Sequence, residues 1–190
     1  MGMVSGLLGG VALSATNWLP DLAPLLFVLA ALAMQLRLQA NLLDGMVAIQ
    51  TGKASRLGEL FNEVPDRISD TALLVGAGYA SGEPVLGLWA ALAAMLTAYI
   101  RTTGKTAGAP MDFCGPMAKQ HRMAVLTLAS VFAATGWDAG LASASGPPSM
   151  RVALWVILTG SLLTAARRLV RAARFLQAET LRDSTETRLV

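Results

Sequence analysis

Apolar and polar positions are segregated along this chain into long blocks. Near-continuous apolar runs cover Leu22–Met34, Thr71–Ala80, Val85–Tyr99, Met123–Trp137 and Val152–Ala166, and the first twenty residues carry no charge. The hydrocarbon core of a bilayer needs about 20 helical residues to cross it, a length each run reaches once its less polar flanks are added. The pattern therefore predicts an all-α integral membrane protein with six transmembrane helices, the uncharged N-terminal stretch being the first. Composition agrees, since 54% of the 190 residues are hydrophobic and 14% charged, with a mean hydropathy of +0.54. A soluble domain of this size does not look like that. The alanines, glycines and scattered methionines suit close helix packing in lipid.

Lys and Arg set the orientation. Arg37, Lys53, Arg56 and Arg67 border the second turn, Arg101, Lys105, Lys119 and Arg122 border the fourth, and six arginines from Arg167 to Arg188 follow the last span. The alternate turns near Asn17–Asp21, Ser81–Pro84 and Asp138–Ser149 hold none, with Arg151 just beyond the last. Six spans with a cytoplasmic C-terminus satisfy this asymmetry. It accounts for the net charge of +3, and no nucleic-acid motif accompanies it. Residues 1–177 are expected to form one transmembrane domain and 178–190 a polar, frayed cytoplasmic tail. The Arg167–Arg174 stretch suits the inner membrane face, where each basic residue gains about 1 kcal/mol against anionic lipid. The N-terminus lacks the basic start of a signal peptide, so no cleavage is expected. Whether an amphipathic extension precedes the first span is left open. A lone cysteine, Cys114, excludes a disulfide framework and a thiolate metal cluster. Trp18, Trp89, Trp137 and Trp155 fall near span ends and read as interface anchors.

One stretch breaks the oily pattern. Five of the twelve acidic residues fall between Asp44 and Asp70, although an ionisable group at bilayer depth costs roughly 2.5–3.5 kcal/mol on insertion scales. Asn41, Asp44, Gly45 and Ala48 share an arc of about 100° at the end of the second span. Glu59, Asn62, Glu63, Asp66 and Asp70 share a similar arc, about 100°, at the start of the third. A turn folding these helices back makes carboxylate and amide oxygens converge, hard ligands suited to Mg²⁺ or Mn²⁺. Gly45, Ala48 and Gly58 leave room for a bulky diphosphate. The plainer reading is two solvated helix ends, which explains poorly why Asn62, Asp66 and Asp70 share a face two turns deep. Pro65 within the stripe removes a backbone hydrogen bond, which membranes tolerate where the freed carbonyl lines a polar cavity.

The run from Asn41 to Asp70 resembles the signature of the CDP-alcohol phosphatidyltransferases, integral enzymes of phospholipid synthesis. That signature reads Asp-x2-Asp-Gly-x2-Ala-Arg, about eight residues, then Gly-x3-Asp-x3-Asp. Asp44, Gly45, Ala48, Gly58 and Asp66 arrive on schedule, while Asn41 and Asn62 replace the first and third Asp and Ile49 replaces the Arg. A variant branch with Asn at those two positions looks closer. The resemblance implies that Asp66 is the general base and a metal ligand, with Asp44 a ligand shared with the donor diphosphate. Asn41 and Asn62 become weaker oxygen ligands or diphosphate partners, and Asp70, one turn beyond the pattern, an additional ligand. Gly45, Ala48 and Gly58 complete the nucleotide site. It further implies CDP-diacylglycerol or a related CDP-alcohol as donor, a small alcohol as acceptor, release of CMP, and a homodimer whose site faces the cytoplasm.

The segment Gly115-Pro116-Met117-Ala118-Lys119-Gln120-His121-Arg122 also resembles the variant branch. Lys119 and Arg122 lie at i, i+3 on a helix start that Pro116 suits, and Arg101 ends the fourth span on the same side. Together they are candidates for the phosphate of a phosphorylated acceptor or of the lipid, against the plain alternative of charge flanking a span. His121 reads as an interfacial side chain. Two competing functions remain: a decayed relative that binds lipid or nucleotide without turnover, and an ion-coupled transporter. The cluster's place at one end of the spans counts against the latter. The sequence leaves open the acceptor and the number of ions.

Overall fold

A computed structural model describes residues 2–50, 56–137 and 146–187, without the side chains of 44, 45, 47–50, 56–62 and 182–187. Among the described residues, six α-helices occupy the six predicted segments: α1 (Gly2–Ala15), α2 (Ala23–Gln50), α3 (Arg56–Ala80), α4 (Pro84–Thr106), α5 (Lys119–Ala134) and α6 (Pro148–Thr187). A short 3₁₀ turn, Pro20–Leu22, leads into α2. Among the described residues, three segments are long and apolar enough to cross a membrane: Pro20–Leu43, Pro84–Thr106 and Pro148–Leu181. The helix of α6 continues past Gln177 to Thr187 where fraying was expected. Ala178, Glu179, Leu181 and Arg182 are good helix formers, and no Gly or Pro interrupts the chain after Gly160.

The helices close into a ring: α2 packs on α1, α1 on α3, α3 on α4, α4 on α6, α6 on α5, and α5 back on α2. Glycines set the closest approaches. A Cβ added to Gly76 of α3 falls 2.3 Å from the carbonyl oxygen of Gly10 on α1, and one added to Gly87 of α4 falls 2.7 Å from the Cα of Gly78 on α3. Backbone therefore meets backbone at both crossings, as small residues permit in membranes.

Polarity runs inside out. Leu8, Val11, Leu25, Leu32, Leu88, Leu92, Val152 and Trp155 are exposed on outer faces, whereas Arg37, Asp70, Arg122 and Arg168 are buried. An apolar exterior with ionised groups turned into the bundle is what lipid demands. The apolar core of Leu13, Met34, Leu73, Leu74, Met123, Leu126, Leu154 and Ile157 fills the ring's middle. The charged groups gather at the end where α2 finishes and α3 and α5 begin.

Candidate active site

A cavity of about 430 Å³ opens at that end, lined by Asn41, Glu63, Asp66, Arg67, Thr97, Arg101, Phe113, Lys119, Arg122 and Arg168, among others. It draws on α2, α3, α4, α5, α6 and the segment leading into α5. Five of the lining side chains are cationic and two are carboxylates. A low-dielectric recess with that imbalance attracts an anion.

Asp66 forms the cavity's acidic centre. Its Oδ1 accepts from Asn41 Nδ2 and from Arg37 Nη2, each at 3.3 Å. Arg37 Nη2 also donates to the Asp66 carbonyl at 3.0 Å. Lys119 Nζ donates to Asp66 Oδ2. Lys119 lies ahead of the apolar run that begins at Met123. Burial lowers its pKa from the ordinary lysine value, and the hydrogen bond to Asp66 opposes that shift. Asn41 of α2 and Asp66 of α3 thus meet, although α1 packs between the two helices along their apolar length.

Asp70, one turn deeper, is held differently. Arg122 Nη2 donates to its Oδ2 at 2.9 Å, and Arg37 Nη1 stands 2.8 Å from its Oδ1. Its side chain is 4% exposed against 19% for Asp66, and it does not line the cavity. Both oxygens face guanidinium groups in this arrangement. A fully buried carboxylate survives only with such partners.

Arg101 pairs with Glu63, whose other oxygen lies 3.6 Å from Arg67, and stacks over the Phe113 ring at 4.9 Å. Arg122 Nη1 donates to the Met117 carbonyl at 2.9 Å, fixing the residue to the segment before its own helix. The three basic candidates Lys119, Arg122 and Arg101 therefore share one cavity with Asn41 and Asp66. The side chains of Asp44, Ala48 and Asn62 and the surroundings of Gly45 and Gly58 lie outside the described residues.

Among the described residues, no three His, Cys, Asp or Glu side chains converge as metal ligands. The donors present are of the kind a hard cation takes, the Asp66 carboxylate and the Asn41 amide at the cavity, but Lys119 stands on Asp66 Oδ2, so a cation would have to displace that ammonium; Asn41 lies one turn before Asp44 on α2. Sequence reasoning missed Arg37, Arg67 and Arg168 as site residues. Arg37 precedes Asn41 by four residues and so shares its face, a signal available in the spacing. Arg168 sits in a basic run that looks like ordinary flanking charge.

No family model matches the chain. The Escherichia coli inner membrane protein YnbA is 30% identical over 159 residues, covering 82% of this chain and 74% of YnbA. Phosphatidylinositol phosphate synthases of Streptomyces avermitilis and Corynebacterium glutamicum are 28% and 27% identical over 71% and 70% of this chain. The match spans 57% and 60% of those two proteins' own lengths. The Mycobacterium tuberculosis phosphatidylinositol phosphate synthase with CDP-DAG bound superposes with a TM-score of 0.63 at 20% identity, over 90% of this chain and 86% of that one. The same enzyme in complex with manganese and citrate gives 0.65, over 90% and 82%. The fold thus defines an integral membrane protein built like these synthases. The chain belongs to the same family as YnbA, and its homologues named phosphatidylinositol phosphate synthase support the CDP-alcohol phosphatidyltransferases as that family.

Proposed function

We propose that this chain transfers a phosphatidyl group from CDP-diacylglycerol, or a related CDP-alcohol, to a small alcohol and releases CMP. One observation carries the reading: α3 brings Asp66 against Asn41 of α2 and Lys119 of α5 inside a cavity with excess positive charge. A carboxylate beside an anion-attracting recess can take a proton from a hydroxyl while the cations hold the phosphate that the hydroxyl attacks.

In this mechanism Asp66 accepts the proton of the acceptor hydroxyl. The freed oxygen attacks the phosphorus that carries the lipid, the phosphorus–oxygen bond to the CMP phosphate breaks, and CMP leaves with that electron pair. Lys119, Arg122 and Arg101 balance the charge of the phosphate groups. Asp44 and Asp66, with Asn41 and Asn62, would hold Mg²⁺ or Mn²⁺, whose chemistry is to neutralise charge on the diphosphate. Gly45, Ala48 and Gly58 would give the nucleotide room. Asp70 would orient Arg37 and Arg122 rather than grip the ion, since it lies deeper than Asp66 and does not line the cavity. The remaining architecture is six spans, a cytoplasm-facing site and C-terminus, and a homodimer.

The reading is tested with the full chain in detergent, CDP-diacylglycerol, Mg²⁺ or Mn²⁺ and a panel of alcohols with and without a phosphate. Metal-dependent CMP release supports it; absence of turnover with every acceptor removes it. The contact of Lys119 with Asp66, together with the neutral Asn41 and Asn62, favours a second reading, a relative that binds without turnover. Cytidine nucleotide affinity without CMP release would establish that one instead.

A further inference from the structure

One side of α6 is a continuous apolar stripe turned away from the bundle. Val152, Val156, Leu163 and Val170 are exposed and fall within an arc of about 40° at the helical period. Thr159 borders them, and its hydroxyl donates back to the Trp155 and Val156 carbonyls at 2.8 and 3.3 Å, so the donor is spent within its own helix. From Val152 to Val170 the stripe is about 27 Å long, close to the roughly 30 Å of a bilayer's hydrocarbon core. Leu154, Ile157, Ser161 and Thr164 are buried on the other side.

At the cavity's end of the bundle the stripe runs into three arginines. Arg167, Arg171 and Arg174 stand at i, i+4 and i+7 and, with Ala166 and Val170, line a second recess of about 350 Å³. All three are exposed. Arg171 Nη1 donates to Asp112 Oδ2 at 3.3 Å. Among the described residues, Arg167 and Arg174 have no hydrogen-bond or ion-pair partner, and no carboxylate lines the recess. Arg168 of the same run is buried and lines the first cavity, so the recess lies on a different face of α6.

The stripe's length puts these guanidiniums where hydrocarbon gives way to headgroups. Guanidiniums grip a phosphate through paired N–H donors, and the stripe beside them suits acyl chains. A free phosphate would engage the arginines and leave the stripe idle, whereas a phospholipid engages both. We propose that the recess of Arg167, Arg171 and Arg174 holds the headgroup phosphate of one anionic phospholipid, whose acyl chains lie along α6 from Val170 to Thr159. That length is about 16 Å, one leaflet's share of the hydrocarbon core. The lipid is a resident of the outer surface, distinct from any substrate that enters the cavity. Charges that merely flank a span attract an anionic surface by their number; a headgroup site depends on these positions.

The test places the full chain in nanodiscs of equal phosphatidylglycerol and phosphatidylcholine with identical acyl chains, and counts the lipid it retains by native mass spectrometry. The unaltered chain should retain one phosphatidylglycerol per copy in preference to phosphatidylcholine. Arg167→Gln and Arg174→Gln, both at exposed positions, should each lower that preference about fivefold. Arg151→Gln, at the other end of α6 beside Glu83, removes the same charge and should change nothing. An equal loss in Arg151→Gln would reveal attraction by net charge and overturn the proposal, as would equal retention of the two lipids by the unaltered chain. Loss of retention in Lys119→Gln with both arginine variants silent would put the lipid in the cavity instead, and overturn it. Displacement of the lipid by excess glycerol phosphate would show a site for a free anion, with the same consequence. A dimer that falls apart in the arginine variants would mean that a second copy covers this face, again against the proposal.

Discussion

Asp66 and Asp70 are the same residue type, one turn apart on one face of α3, and the structure treats them as opposites. Asp70 is sunk between Arg37 and Arg122, away from the cavity, while Asp66 meets the cavity with a fifth of its side chain exposed. Arg37 touches both, so one guanidinium bridges the two environments. The difference teaches that depth in the bundle, and whether a cavity reaches the side chain, separates two like carboxylates on one helix face. A turn of helix, about 5.4 Å, is enough to cross that line.

The comparison breaks first at Asp66. Asp66→Asn keeps the shape and removes the proposed base, so CMP release should fall by about a thousandfold. The melting midpoint in detergent should move little. Full activity in that variant would erase the distinction between the two acids. Asp70→Asn should do the reverse, costing about 3 kcal/mol of stability by leaving Arg122 without its buried counter-charge and Arg37 with Asp66 alone. Denaturant unfolding in mixed micelles measures this, and a variant as stable as the parent would show that the guanidiniums do not need Asp70.

A smaller effect sharpens the comparison through the scaffold. Gly76→Ala forces a methyl group into the Gly10 backbone, and overpacking of this kind costs about 1–3 kcal/mol. Because α1 and α3 would have to separate, both acids should be disturbed together, read as lower stability and lower turnover. Turnover lost at unchanged stability would show that the crossing serves the site alone. The smallest effect is expected at Glu63, whose pairs with Arg101 and Arg67 lie at the cavity edge, a third exposed. Glu63→Gln should change stability by no more than about 0.5 kcal/mol. A larger loss would place Glu63 beside Asp70 as an architectural acid.

The sequence carried the helix count, the helices' places and the convergence of Asn41 with Asp66, because long apolar blocks and a 3.6-residue period are local properties. The polar candidates Lys119, Arg122 and Arg101 were legible for the same reason: each flanks an apolar run on the side rich in Lys and Arg. What stayed hidden was partnership. In the sequence Asp66 and Asp70 look alike, and Arg168 looks like its neighbours Arg167 and Arg171. Only the tertiary structure separates them, turning Arg168 onto three carbonyls and leaving Arg171 exposed beside Asp112. Burial and distance depend on which helices become neighbours in the ring. Backbone contacts such as that of Gly76, on the same helix as Asp66 and Asp70, with Gly10 of α1 help to set that choice, and Gly10 lies far along the chain from the charges.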